Sequence, residues 1–197
     1  MDINPLDAIE TQEKKPKSAW LNPAVAITVA LLATFMGICK VKDDNIVQAM
    51  QQAQADKIDH WGFYQARNLR EELAKATAVQ LRLQAATVAP QYQPAYQEQI
   101  DVYEKLAREQ GQKKEELKVL AEKDQITYDA LNFHDDQFDL SDAMLAVAIS
   151  LLAVASLTQL WWLYAISLVP AGFGVLMGLS GLIGWGIHPD ALIKLLS

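Results

Sequence analysis

The sequence predicts an all-α integral membrane protein with three transmembrane helices and a long antiparallel, coiled-coil-like helical hairpin outside the bilayer. Two observations predict the membrane part: residues 18–39 and residues 143–187 contain no charged side chain. A third predicts the hairpin, because the polar residues between these runs hold two long helical patterns separated by prolines. A chain divided in this way does not form one soluble core, so the usual relation between length and domain number does not apply.

The uncharged runs have the lengths of membrane-spanning helices. A hydrocarbon core of about 30 Å needs roughly 20 apolar residues as helix, so the first run crosses once and the second has room for two crossings. We therefore predict transmembrane helices at residues 20–40, 142–160 and 164–187. Residues 1–19 are predicted to form a polar N-terminal tail, and residues 188–197 a C-terminal tail.

The first span is predicted to stay as an anchor. A cleaved signal peptide is the alternative, but the preceding segment is long and carries acidic residues, unlike a short basic leader. The bulky Ile38 directly before Cys39 argues against lipoprotein processing. One cysteine permits no internal disulfide, and Cys39 is expected to act as a small apolar residue at the membrane edge.

Residues 41–141 are predicted to form the hairpin, with its turn near residues 89–94. Pro90 and Pro94 break the helical pattern there, because each lacks an amide proton and disfavours helix in the residue before it. The two resulting helices have matched lengths of roughly 70 Å at about 1.5 Å per residue, so the second returns to the membrane beside the first. At the returning end, Asp139 or Ser141 is expected to cap the second span.

Each hairpin helix is expected to pack against another helix through one face, which the first helix marks with residues spaced alternately three and four apart. In the first helix these are Gly62, Ala66, Leu69, Leu73, Ala76, Gln80 and Leu83. In the second helix they are Ile100, Tyr103, Ala107, Leu117, Ala121, Tyr128 and Leu131.

The stretch KIDHWGFYQARNLREELAK at residues 57–75 holds the candidate interaction site. The candidate residues are Asp59, Trp61, Tyr64, Gln65 and Arg67. Trp61 lies about 20 residues beyond the first span, so a helix would hold it roughly 30 Å from lipid, where it needs a protein surface. Arg67 and Glu71 are expected to form an i,i+4 pair on a solvated face, contributing only about 0.2–0.5 kcal/mol.

Two interpretations of this aromatic group remain open. In the first, it is the main packing contact of the hairpin and lies against the residues near position 122, namely Val119, Leu120 and Ile126. In the second, it docks a partner helix, because exposed Trp and Tyr side chains anchor interfaces.

The same residues do not predict catalysis or metal binding. Asp59 and His60 are sequence neighbours about 100° apart on a helix and do not point into one site. Hairpin pairing places His60 roughly 16 Å from His134, whereas zinc needs ligands at about 2 Å. The sequence has no glycine-rich phosphate loop, nucleophile elbow or basic patch. We expect no enzyme activity, no cofactor and no nucleic-acid partner.

The predicted spans carry small residues at heptad spacing, which close helix packing in lipid requires. They are Ala26, Ala30, Ala33 and Gly37 in the first span, Ala146, Ser150 and Ala153 in the second, and Gly174, Gly178 and Gly181 in the third. They predict a packed bundle, formed either within one chain or between chains. The spans contain no charged side chain, which disfavours a transporter or a charged-ring channel.

The motif Asp59-x-Trp61-x-x-Tyr64-Gln65-Ala66-Arg67 follows an apolar span and precedes a C-terminal membrane hairpin. In this arrangement the chain resembles a family of bacterial integral-membrane proteins that is defined as a domain of unknown function. The resemblance covers residues 20–186. This sequence departs from the family pattern at Gly62-Phe63, where bulkier or aromatic residues are usual, and at Arg67 and Arg70, where lysines are usual. It implies a bacterial membrane protein and supplies no activity.

The sequence therefore predicts a membrane-anchored scaffold or interaction subunit without catalytic activity. Its expected partners are membrane lipid and either a second copy or another membrane protein. A small homo-oligomeric channel or permeability factor built from the glycine- and alanine-rich spans is the alternative. The expected location is the bacterial inner membrane, with a cytoplasmic N-terminus because Lys14, Lys15 and Lys17 precede the first span.

Overall fold

A computed structural model of the protein describes residues 20–187 and 189. The described chain is 93% helical and has no strand, which confirms an all-helical fold. Helix α1 spans Leu21–Ala85, helix α2 spans Gln93–Thr158 and helix α3 spans Trp161–Ile183, with a short 3₁₀ helix at Pro90–Tyr92. The predicted tails lie outside the described residues, apart from Pro189 in the second of them.

Each of the three long helices contains a stretch that is long and apolar enough to cross a membrane, judged by length and composition. The stretches in α1 and α2 are parts of much longer helices, of 65 and 66 residues. Helix α2 runs through Asp139 and Ser141 without a break. The predicted cap at these two residues is therefore wrong, because no helix begins there.

The connections follow the local chemistry of the chain. Ala89 is extended, with φ −61° and ψ 147°, as a residue before proline prefers, and Pro90 opens the 3₁₀ helix. Between α2 and α3, Gln159 takes a positive φ of 56°. Helix α3 ends at Ile183 and is capped by Gly184. The φ of Gly184 is 80°, which suits glycine, and its N–H donates to the carbonyl of Ser180 at 2.9 Å.

The chain divides into two compact units. One, the apolar unit, comprises the described residues up to Ile46 together with the described residues from Phe133 onward. The other, the arm unit, comprises Val47–Asn132. Each is described separately below.

The apolar unit is held together by aliphatic side chains from all three helices. Its buried core consists of Leu21, Val25, Leu32, Leu145, Ala148, Leu152 and Ala171. Polar contacts join the same helices: the hydroxyls of Thr28 and Tyr164 lie 3.0 Å apart, and Ser141 Oγ donates to the Gly174 carbonyl at 2.8 Å. The Gln137 side-chain amide donates to the carbonyls of Trp185 and Ile187, which fixes the segment after α3 to α2.

Candidate functional site

The arm unit is built from one face of α1 and one face of α2. On α1, the buried and half-buried residues recur at spacings of three and four, and we call them the inner face: Lys57, His60, Tyr64, Arg67, Glu71, Ala74 and Ala78. On α2 they are Ile100, Tyr103, Ala107, Gln110, Lys114, Leu117, Ala121, Asp124 and Tyr128. The stripe expected for α2 lies within this second set apart from Leu131, whereas the stripe expected for α1 does not lie on the inner face.

Polar side chains contact one another across the two inner faces. His60 Nδ1 lies 2.6 Å from Asp124 Oδ2, and Arg67 donates to Gln110 Oε1 at 2.9 Å. Lys57 donates to Gln125. Residues later in α1 contact residues earlier in α2, as in the ion pair between Arg82 and Glu104.

Glu71 is the least exposed charged residue of the two inner faces, with 8% of its surface exposed. Lys114 Nζ lies 2.7 Å from its Oε2 atom, and Lys75 Nζ lies 2.6 Å from its Oε1 atom. Gly111 leaves room for the carboxylate, because an added Cβ would lie 3.3 Å from Oε1. The two ammonium groups hydrogen-bond to the carboxylate and lower the pKa of Glu71 below its ordinary value.

The expected pair between Arg67 and Glu71 on a solvated face is therefore wrong. Arg67 contacts Gln110 on α2, and Glu71 is buried against two lysines. Both arginine and glutamate have long side chains that usually remain in water, so their position on the inner face could not be read from residue type. The residues on α2 that contact them, Gln110 and Lys114, each stand 43 residues away in the sequence.

The stripe that the sequence predicted for the packing of α1 faces outward. We call it the outer face: Gly62, Ala66, Leu69, Leu73, Ala76, Gln80 and Leu83. Its leucines are 71%, 65% and 69% exposed in chain order. The stripe therefore does not pack against α2, because the outer and inner faces have the same three-and-four periodicity, two residues apart, which places them about 200° apart around the helix.

The candidate interaction residues do not all lie on one face of α1, and they differ in exposure. Asp59 and Gln65 are exposed, while Trp61 and Tyr64 are half-buried and meet edge to face with ring centroids 5.2 Å apart. Arg67 is half-buried on the inner face.

Trp61 is half-buried, but the residues expected to cover it are not buried with it. The three α2 side chains expected to cover it are all exposed: Val119, Leu120 and Ile126. Next to Trp61, the inner faces of α1 and α2 are joined by the polar contact between His60 and Asp124.

The small residues of the predicted spans also divide into two groups. Those of α3 are buried in the apolar unit: Gly174, Gly178 and Gly181. Those of the other two helices are exposed: Ala26, Ala30, Ala33 and Gly37 on α1, and Ala146, Ser150 and Ala153 on α2. The glycines of α3 therefore pack within the chain, while the small residues of α1 and α2 remain on its surface.

Gly178 shows how close that packing is. A Cβ at Gly178 would lie 2.7 Å from Phe35, 2.8 Å from Ser141 Oγ and 2.9 Å from Cys39 Sγ. A Cβ at Gly181 would lie 2.8 Å from the ring of Phe138. Helix α3 approaches α1 and α2 this closely because glycine has no side chain to hold them apart.

The apolar unit also contains an acidic group around Asp43, which no sequence pattern indicates. Asp43 is 4% exposed, and its Oδ2 atom accepts a hydrogen bond from Lys40 at 2.8 Å. Its buried Oδ1 atom receives no hydrogen bond from a protein donor. The Asp135 carboxyl lies within hydrogen-bonding reach of Asp43, and two carboxyl groups can form such a bond only when one is protonated.

The environment of Asp135 favours that protonation. Burial, the hydrogen bond to Asp43 and the charge of Asp139 together raise the pKa of Asp135 to about 7. Burial and the nearby charge of Asp43 also raise the pKa of Asp139. In the part of the chain that the structure describes, no three His, Cys, Asp or Glu side chains converge as metal ligands.

These features define an all-helical protein with three long apolar stretches and an amphipathic helix whose apolar face is uncovered. The chain belongs to the family described as domain of unknown function DUF4337, whose model matches residues 21–184. Comparisons with curated proteins and with solved structures give no match.

Proposed function

We propose that this protein is a membrane-anchored scaffold or interaction subunit without catalytic activity, which docks a second copy or another membrane protein through an extramembrane antiparallel helical hairpin. The observation that carries the proposal is the exposure of the outer face of α1. An apolar stripe that recurs at coiled-coil spacing gains free energy only when another helix covers it.

The contacts of the inner faces support the hairpin. The contact between His60 and Asp124 joins positions 64 residues apart, whereas that between Arg82 and Glu104 joins positions 22 residues apart, the order expected of antiparallel helices. Buried polar contacts of this kind specify one register, because any slip leaves charges unpaired. A hairpin closed through its polar face keeps its apolar face available for a partner.

Membrane insertion is supported by composition. The three apolar stretches are free of charged residues, and an isolated charge in the bilayer centre is costly. We place the protein in the bacterial inner membrane as a multi-pass protein, with the N-terminus in the cytoplasm on the evidence of the three lysines before α1.

Chemical crosslinking of the full chain in its native membranes tests the proposal, with two matched variants. Leu73→Glu places a charge on the outer face and should lower the yield of crosslinked complex by about tenfold, equivalent to about 1.4 kcal/mol. Val119→Glu alters an equally exposed apolar residue of α2 and should leave the yield unchanged. A chain that stays alone with several crosslinkers contradicts the proposal.

The exposed small residues of α1 and α2 favour a second candidate function, a small homo-oligomeric channel or permeability factor. Ala26, Ala30 and Ala33 present a flat surface on which helices of other copies can pack closely. Conductance of the purified protein in planar bilayers distinguishes this candidate from a scaffold. Reproducible single-channel steps support the channel, and a silent bilayer containing inserted protein excludes it.

A further inference from the structure

We propose that the outer face of α1 is covered by the outer face of a second copy of this chain, parallel and in register from Gly62 to Leu83. This inference rests on the proposed docking function and names its partner. The residues involved belong to the arm unit, and the hairpin contacts of the inner face do not use them.

The outer face has the pattern of a helix-pairing seam. Its residues alternate three and four apart over three heptads, with leucines at positions 69, 73 and 83. In a parallel pair in register, each of these leucines meets its own counterpart, which fills the seam with matched layers. Gly62 and Ala66 allow close approach at one end of the seam.

The residues beside the seam fit the same arrangement. In a parallel pair, each residue on one flank faces the residue five positions later on the other copy. Ile58 then meets Phe63, both exposed in the single chain, and Gln65 meets Arg70. Glu72 meets Thr77, so this pairing brings no like charges together.

An antiparallel pair fits less well. The register that stacks Leu69 on Leu73 also places Glu72 beside Glu72 and Arg70 beside Arg70, and like charges at these positions repel. A register shifted by one heptad toward Leu83 places Gln80, Ala76 and Ala66 opposite Leu69, Leu73 and Leu83. The opposite shift places Gly62 opposite Leu73. Two copies inserted in one membrane with the same orientation also present their α1 helices in parallel.

The ends of the seam are set by the sequence. The next residue of this spacing before Gly62 is Asp59, three residues earlier. In a parallel pair Asp59 would lie beside Asp59 of the other copy, and repulsion between these like charges ends the contact there. At the other end, α1 terminates at Ala85. Gln80 is the one polar residue within the seam, and a single buried polar layer fixes register at some cost in stability.

Symmetric disulfide formation tests the pairing in the full chain. Leu69→Cys and Ala76→Cys, each with Cys39→Ala, are expressed in membranes and mildly oxidised. A parallel pair in register places each cysteine beside its own counterpart, so both should form dimers about tenfold faster than Lys113→Cys on the exposed side of α2. Equal rates at all three positions, or no dimer at 69 and 76, would overturn the parallel pair.

A photo-crosslinking residue at position 73 separates the two proposals. An adduct of twice the chain mass supports the second copy. Adducts that contain only a different protein overturn the second copy and leave the docking function standing. The absence of any adduct, in a chain that is inserted and folded, overturns both.

Discussion

Glu71 and Leu69 lie two residues apart on α1 and face opposite sides of it, with the glutamate buried and the leucine exposed. The exposed fractions are 8% for Glu71 and 71% for Leu69. Leaving a leucine in water forgoes about 1.5–3 kcal/mol of burial free energy. Burying a carboxylate is favourable only with close partners, which Lys75 and Lys114 supply. The inner face therefore joins the two helices of the arm unit, and the outer face remains exposed.

Removing the charge of Glu71 should destabilise the arm unit. Glu71→Gln leaves Lys114 without its buried anionic partner, and the expected loss is about 1–3 kcal/mol. Urea unfolding of the full chain in detergent, followed by helical circular dichroism, measures it. Glu72→Gln is the matched control, because the Glu72 side chain is 59% exposed and its pair with Lys75 should contribute at most about 1 kcal/mol. Equal losses in both variants would contradict the buried ion pair.

The stability of the apolar unit should fall as pH rises from about 4 to about 7. Asp135 has an ordinary pKa of 3.8 and a folded pKa of about 7, so over this range the folded chain holds a proton that the unfolded chain has released. The stabilisation by this bound proton is therefore complete below the ordinary pKa of 3.8 and is lost as pH rises past the folded pKa of about 7. The raised pKa of Asp139 acts in the same direction.

Asp135→Asn should reduce this pH dependence, since the amide cannot titrate and can still donate a hydrogen bond to Asp43. The lowered pKa of Glu71 has the opposite sign, and its effect on stability is confined to pH values near and below 4.5, at the acid end of this range. Unfolding midpoints of both chains at several pH values provide the measurement. Identical pH profiles would show that Asp135 is ionised in the folded chain at neutral pH.

Gly178 should tolerate no side chain. Gly178→Ala brings a methyl group within 3 Å of atoms from α1 and α2, and overpacking of this kind costs about 1–3 kcal/mol. Gly172→Ala on the same helix is the control, because nothing lies within 4 Å of its added Cβ. Denaturation in sodium dodecyl sulfate measures both. A result in which Gly172→Ala is the more damaging change would refute the helix packing around Gly178.

The all-helical class, the three apolar stretches and the position of the helix break follow from sequence patterns alone. Proline chemistry located the break, and the lack of charge located the stretches. The packing face of α2 was also recognisable, since Ile100, Ala107 and Ala121 are apolar and buried. These features depend on local composition and period, which a sequence displays directly.

The faces of α1 could not be assigned in the same way. Hydrophobic periodicity finds an apolar stripe but does not say whether the same chain covers it. The inner face is polar and becomes recognisable only when Glu71 is matched with Lys114. The contact between Asp43 and Asp135 was missed for the same reason, because it joins two helices at residues 92 positions apart in the sequence.

Cysteine accessibility on the two faces of α1 tests the central claim most directly. In permeabilised native membranes, a water-soluble maleimide is applied to Leu73→Cys, Ala78→Cys and Val119→Cys, each with Cys39→Ala. We expect slow labelling at 78, which is buried within the arm unit, and fast labelling at 119, which is exposed. We also expect slow labelling at 73, where we propose that a partner covers the helix. Labelling at 73 as fast as at 119 would contradict docking through this face, because the outer face of the protein in native membranes would then be exposed to water.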